Sequence, residues 1–363
     1  MDKIEKLNLT NYRSYAHLKL DTEGAKNVVI TGPNGVGKTN ILEAVSMLSA
    51  NGPFRKARTQ QLGLIGGTPQ VFTIFAKIGD DTLGLSCDYS TEGGVKEIVA
   101  NSEEIQAGDM ADIVKIVWIT PFMDRLFSEA GAERRRFLDN LIANFFPAYG
   151  EHLNTYTKLL QERARVLKSP RPDARWLDSI EAGVAALGVA IAAMRLDFEE
   201  KQNAALERSR AHFPSIRISI GGLVEDRLRI GKAADAEEMF RTNLLEGREL
   251  FTKSYSPPVD GVHRSDFTAR NLDKNISADQ TSTGEQKLAV LSIVLAYAEM
   301  LGAYFGRMPI VLLDEAPAHL DDDKARKLYE ALEAMPAQVW LTGINEADFA
   351  FFKDKNATFF RRG

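Results

Sequence analysis

The side chains best placed to do chemistry are Lys38 and Thr39. They close the string Gly32-Pro33-Asn34-Gly35-Val36-Gly37-Lys38-Thr39, a complete G-x-x-x-x-G-K-[ST] phosphate loop. Glycines at these spacings let successive backbone N–H groups turn inward around a phosphate chain. Lys38 then reaches the β- and γ-phosphates, and the Thr39 hydroxyl is a ligand for Mg2+. The flanks suit this chemistry. Val28, Val29 and Ile30 form a buried-strand run before the loop, and Ile41, Leu42, Ala44, Val45 and Leu48 recur with helical period after it. The loop, together with the adjoining Asn40, therefore reads as the cradle of a nucleotide, with a helix N-terminus favouring the anion.

A second signal is Ile310-Val311-Leu312-Leu313-Asp314-Glu315, an apolar strand ending in two carboxylates. Asp314 is suited to hold Mg2+, and Glu315 to polarise an attacking water. With Lys38 they make the candidate catalytic set. Upstream, Ser282 in Gln280-Thr281-Ser282-Thr283-Gly284-Glu285 is spaced to cap an apolar helix whose N–H groups face outward as an anion site. The order of these segments resembles that of ABC-type ATPases. In that class the capped helix of one subunit closes over the γ-phosphate held by the phosphate loop of another. The resemblance implies an ATP-dependent head-to-tail homodimer, with Ser282 and Gly284 binding nucleotide across the interface. It also implies that Asp321, in Ala318-His319-Leu320-Asp321, lies near the partner's site. Thr342 ends the next strand, where transporters of this class carry a histidine. A hydroxyl hydrogen-bonds a γ-phosphate but brings no positive charge, so slow hydrolysis is expected. The glutamine that the resemblance would place near Thr120 to Met123 is missing.

These groups need a framework. Residues 2 to 31 read as three strands, and Val71 to Val99 as further strands with hairpin turns at Gly79-Asp80-Asp81 and Glu92-Gly93-Gly94. Ile113 to Ile119 reads as a buried strand of a mixed sheet. Residues 129 to 210 lack alternation and are broken at Pro147 and from Pro170 to Pro172, which gives three helices. The last, from Asp173 to Ala211, would run about 55 Å as an arm. A strand pair is expected at Ile216 to Ile220 and Leu228 to Ile230, then a helix from Asp235. Residues 280 to 363 read helix, strand, helix, strand. The expected fold is α/β: an ABC-type ATPase head with a mixed sheet around the phosphate-loop core and an antiparallel β lobe. The head is split into residues 1–128 and 256–363 by an inserted helical arm domain, residues 129–255.

Hydrophobic residues are 44% and charged residues 26%, which excludes a disordered chain. The single Cys87 excludes an intramolecular disulfide, and five scattered histidines give no metal cluster. No apolar run approaches membrane-span length, so a soluble cytoplasmic protein with no membrane partner is expected. A net charge of −5 argues against wholesale coating of nucleic acid but leaves room for local basic faces. Arg55, Lys56 and Arg58 follow the first helix. Residues 151 to 175 carry Lys158, Arg163, Arg165, Lys168, Arg171 and Arg175 against three acids. Lys56, Arg58, Lys158, Arg163 and Arg165 are the candidates for DNA phosphate contacts, each of which also reads as an ordinary solvated face.

Over essentially its full length the chain resembles the RecF family of recombination mediator ATPases. The segments that carry the likeness are Asn11-Tyr12-Arg13-Ser14-Tyr15, Glu133-Arg134-Arg135-Arg136-Phe137-Leu138-Asp139, Pro147-Ala148-Tyr149 and the stretch from Tyr156 to Arg163. Gly261-Val262-His263-Arg264-Ser265-Asp266 resembles the family's Gly-Pro-His-Arg-Asp-Asp run, departing at Val262 and Ser265. The resemblance implies that Arg13 and Ser14 approach the nucleotide, and that ATP with Mg2+ drives dimerisation. It further implies weak DNA-stimulated ATPase activity and binding of duplex and single-strand gap junctions. Its partners would be RecR, RecO and, indirectly, RecA, in repair and the SOS response at the nucleoid. Arg134 to Arg136 read equally as intramolecular ion-pair formers. Thr342 and the Arg134 to Asp139 segment speak against a transporter subunit, and the helical run is too short for an SMC or RecN-type coiled coil. An overcoming-lysogenisation type nuclease would need an acidic metal domain, which does not follow Asp314. The alternative is another SMC-like or ABC-type ATPase using ATP as a dimer clamp in a different DNA transaction.

Overall fold

The structure, a computed structural model, describes residues 2–49, 52–55, 57–67, 70–90, 95–209, 213–254, 260–315 and 317–362. Apolar–polar alternation pairs β1 (Ile4–Tyr12) with β2 (Tyr15–Asp21) antiparallel, Leu7 opposite Leu20 and Leu9 opposite Leu18. β3 (Asn27–Thr31) is buried at every position and feeds the phosphate loop, from which α1 (Lys38–Ser46) departs. β4 (Val71–Ile78), β5 (Asp81–Asp88), β6 (Val95–Ala100) and β7 (Glu103–Glu104) complete an antiparallel sheet of order β2-β1-β4-β5-β6-β7. Cys87 is buried in β5 as a small core residue. The turn expected at Glu92-Gly93-Gly94 lies outside the described residues. α2 (Met110–Ile113) leads into β8 (Ile116–Ile119).

The middle of the chain forms α3 (Gly131–Phe145), α4 (Pro147–Leu167), α5 (Ala174–Arg208), β9 (Ile216–Gly221), α6 (Leu223–Ile230), α7 (Ala233–Ser254), β10 (Asp266–Asn271) and β11 (Ile276–Ser277). α5, 35 residues long, is the central helix here and packs against α4, α6, α7 and β9. One expected element changes type: Leu228 to Ile230 belong to α6, not to a strand. Glu225 and Asp226 in the first turn of α6, with Arg227 and Arg229 in its last, complement the helix dipole. The partner of β9 is instead β10, with Phe267 opposite Ile220 and Ala269 opposite Ile218.

The chain then forms α8 (Thr283–Phe305), β12 (Ile310–Leu313), α9 (Asp322–Ala334), β13 (Val339–Gly343) and β14 (Ala357–Arg361). β14 is one strand more than the sequence reading supplied. These strands join β3 and β8 in a parallel sheet of order β14-β3-β13-β12-β8. Their near-continuous apolar runs suit strands covered on both faces. α8 packs on β8.

Two compact units result: Met1–Asp124 with Ser209–Phe213 and Thr283–Gly363, and Arg125–Arg208 with Pro214–Ser282. The second unit runs past the expected boundary at residue 255 because β10 completes the sheet that β9 begins. The composition reading also understated two helices: α5 and α8 are each long and apolar enough to cross a membrane. In α8 the most apolar stretch is 78% buried within the protein, so its apolar character is that of a core helix.

Candidate nucleotide site

β3 ends at Thr31, and the next six residues, Gly32 to Gly37, form the loop that leads into α1. Two glycines of the loop are required by crowding. Gly32 has φ 148°, and a Cβ there would lie 2.1 Å from the Arg362 carbonyl oxygen. Gly37 has φ 96°, and its Cβ would lie 2.6 Å from both the Ser14 and Tyr15 hydroxyls. The Lys38 ammonium, almost fully buried, donates to the Gly32 carbonyl at 2.7 Å and the Pro33 carbonyl at 2.9 Å. It is thus held at the loop's mouth by carbonyls that a phosphate oxygen can replace. Asn40 donates to the Ser14 hydroxyl at 3.0 Å, and Tyr15 donates to the Val36 carbonyl at 3.3 Å, so the β1–β2 hairpin braces the loop.

Asp314, immediately after β12, is where the predicted residues converge. Its Oδ1 accepts from the Thr39 hydroxyl at 3.0 Å and from the Thr342 hydroxyl at 2.7 Å. Burial pushes the Asp314 carboxyl above its usual range, and these two hydroxyls pull it back in part. Thr342 is fully buried, and its oxygen also accepts from the Glu315 N–H at 2.8 Å. The Thr342 hydroxyl, expected at the γ-phosphate, is thus engaged by the Asp314 carboxylate and the Glu315 N–H. Glu315 itself has φ 52°, a left-handed conformation that is costly for a residue with a Cβ and must be held by its surroundings. The Thr342 hydroxyl supplies one restraint. Lys287 supplies another, donating to the Glu315 carbonyl at 3.3 Å.

Lys287, in the second turn of α8, was not singled out by sequence. The residue is 2% exposed, and its ammonium also bonds the Ala318 carbonyl at 2.9 Å and Asp124 at 3.1 Å. Burial pushes the Asp124 carboxyl up, against the pull of Lys287. Asp124 follows directly on the positions where the class carries its glutamine. Gly284 faces the same loop: a Cβ there would meet the His319 carbonyl oxygen at 3.4 Å. Ser282 immediately precedes α8, and Asp321 caps α9, accepting from the Lys324 N–H at 2.9 Å. Glu315, Pro317, Ala318, Gly343 and Ile344 line a cavity of about 290 Å³.

Other expected residues are engaged differently. Arg13 grips Glu43 of α1 through two bonds of 2.7 Å and donates to the Gln61 carbonyl at 2.6 Å, so its guanidinium braces α1. Glu43 is fully buried, which makes this pairing obligatory. Arg163 is corrected from DNA contact to core: it is 5% exposed, pairs with Glu181 at 2.7 Å and donates to the Leu244 carbonyl at 2.6 Å. It lies seven residues from Tyr156, itself seven from Tyr149, on the buried stripe of α4. That heptad spacing was the available signal. Arg58, Lys158 and Arg165 are exposed, and Lys56 lies outside the described residues. Arg134 pairs with Asp266 at 2.7 Å, and Arg135 donates to the Ser265 carbonyl at 3.0 Å, both inside the second unit.

A phosphate loop after β3, an acidic pair after β12 and an antiparallel lobe beside a parallel sheet define an ATPase head of the ABC type. Residues 2–120 match the family described as AAA ATPase domain. The fold aligns with a solved recombination mediator protein RecF at TM-score 0.82 and 22% identity, covering 96% of this chain and 94% of that one. It aligns with an Smc head domain from Pyrococcus furiosus at TM-score 0.53 and 17% identity, covering 96% and 92%. The DNA replication and repair protein RecF of Rhizobium meliloti (strain 1021) is 35% identical over 95% of this chain and 93% of its own length. That of Mesorhizobium japonicum is 37% identical over 96% and 93%. The chain belongs to the RecF family of DNA replication and repair proteins.

Proposed function

We propose that this chain is a recombination mediator that closes as a head-to-tail homodimer on ATP and binds DNA at single-strand gaps. With RecO and RecR it would help load RecA in repair and the SOS response, in the cytoplasm at the nucleoid. The observation that carries the nucleotide chemistry is the meeting of Thr39 and Thr342 on one oxygen of Asp314, at the mouth of a loop already holding the Lys38 ammonium. The mediator role rests on the family and on a solved relative described as a recombination mediator in the RecFOR pathway.

Two hard oxygen donors, Thr39 Oγ1 and Asp314 Oδ1, fit Mg2+, which is held by few protein groups and completes its shell with water and phosphate. When bound, it would neutralise charge on the phosphates. Lys38 would exchange its two carbonyl partners for phosphate oxygens. Glu315 would accept a proton from the attacking water, with its backbone fixed on both sides by Thr342 and Lys287. Thr342 brings no positive charge, which supports slow turnover, and stimulation by DNA is part of the proposal. Arg58, Lys158 and Arg165 are exposed cations suited to backbone contacts without sequence readout.

Lys38→Ala is expected to lose ATP binding in calorimetry. Ser282→Arg is expected to bind ATP yet stay monomeric with ATP in sedimentation, because the bulky cation blocks closure over the partner's phosphates. A Ser282→Arg protein that still dimerises on ATP would eliminate the sandwich. Dimers that close on ATP without preferring gapped DNA, with or without RecR, would favour a clamp in another DNA transaction.

Thr342→Val tests the acid pair. The swap keeps the side-chain shape but leaves the Glu315 N–H without its acceptor, at a cost of about 1–3 kcal/mol. Turnover should fall about 10- to 100-fold, as for other groups that orient a metal site from behind, with ATP affinity changed much less. Thr342→Ser should recover most of the rate. Steady-state turnover of Thr342→Val equal to the parent's would show that the hydroxyl does not position Glu315.

A further inference from the structure

β14 runs parallel to β3 with Arg361 in register with Thr31, so the residue beyond it, Arg362, emerges beside the phosphate loop. Its N–H donates to the Thr31 carbonyl at 2.8 Å, and its own carbonyl crowds Gly32. The Arg362 guanidinium lies over the Tyr15 ring, 5.1 Å from the centroid. Tyr15 in turn contacts the loop at Val36 and Gly37. Among the described residues no carboxylate pairs with Arg362. It is therefore a half-buried cation over an aromatic ring at the edge of the cradle.

The strand order says which end of a nucleotide it meets. Asp314 follows β12 and Thr342 is the penultimate residue of β13, both on one side of β3, while Arg362 follows β14 on the other. A triphosphate with its γ end beside Asp314 and Glu315 runs its α-phosphate and nucleoside toward β14. We propose that Arg362, backed by Tyr15, stacks on the nucleobase and is the residue that holds the nucleoside end. A guanidinium plane stacks on a base much as an aromatic ring does, and a purine offers it more surface than a pyrimidine. This rests on the phosphate loop being the nucleotide site.

The test compares ATP with inorganic tripolyphosphate, which carries the phosphates without the nucleoside. By calorimetry with full-length protein, Arg362→Ala should weaken ATP binding about tenfold, the range of one base-stacking contact. Tripolyphosphate binding should be unchanged, which also shows that the cradle is folded. The preference for ATP over UTP should narrow. Arg362→Lys, which keeps the charge without the plane, should also bind ATP more weakly. Equal weakening of ATP and tripolyphosphate would make Arg362 a phosphate contact and overturn the proposal, as would unchanged ATP binding in Arg362→Ala or in Arg362→Lys. Lys38→Ala separates the two readings. If it bound both ligands like the parent, the nucleotide site itself would be misplaced, whatever Arg362 did.

Discussion

Replacing Arg195 by alanine should destabilise the second unit by about 3–5 kcal/mol, the cost of stranding buried charges. Arg195 is fully buried in α5. It reaches Asp139 of α3 at 2.9 Å, Glu225 of α6 at 3.0 Å, the Tyr149 hydroxyl at 2.9 Å and the Val262 carbonyl at 2.6 Å. Burial works against its charge, but the Asp139 and Glu225 carboxylates and the hydrogen bond to Tyr149 outweigh that and hold the guanidinium firmly protonated. The same burial pushes the Tyr149 hydroxyl far up, so Tyr149 stays neutral. Glu225 is also fully buried, and its Oε2 has no hydrogen-bond partner among the described residues. Removing Arg195 therefore leaves a carboxylate with little compensation. Hydrogen exchange of the α5 amides is the readout, and protection should drop by about two to nearly four orders of magnitude. Arg195→Met combined with Glu225→Leu should recover much of the loss, because paired removal strands nothing. Unaltered α5 protection in Arg195→Ala would mean that the network does not hold these helices.

How much of this was legible follows from how local each signal is. The phosphate loop and the β12 acids are contiguous strings, and they follow two parallel strands, β3 and β12, with β13 between them. Helices α3, α4 and α5 were legible because prolines punctuate them and alternation is missing. Leu228 to Ile230 misled because three residues cannot display a period, and of the charges that complement the α6 dipole only Arg229 lies among them. Arg163 misled because charge was read without the heptad that places it beneath Tyr156. Lys287 was invisible for another reason: a lysine one turn into an apolar helix reads as a solvated cation. Its partner Asp124 is 163 positions away, and only the fold brings them together. Arg362 depends likewise on β14 lying beside β3.

Glu315→Gln should lower ATP turnover by about 10²–10⁴-fold while leaving ATP binding intact, because general-base catalysis by a positioned carboxylate contributes about that much. Glutamine keeps the size and one acceptor oxygen of the side chain but takes up no proton. The backbone restraints would survive the change, since the Thr342 hydroxyl and the Lys287 ammonium grip the main-chain N–H and carbonyl, not the carboxylate. Loss of rate in this variant therefore reports the carboxylate itself, whereas loss in Thr342→Val reports its placement. If hydrolysis opens the dimer, Glu315→Gln should also accumulate on DNA in the closed state. Single-turnover hydrolysis, with sedimentation on gapped DNA, measures both effects. Fast turnover with normal release would show that another group activates the water, and the left-handed backbone at Glu315 would then lack a catalytic purpose. Slow chemistry with normal release would separate the two steps, making ATP binding alone, and not its hydrolysis, the event that times closure.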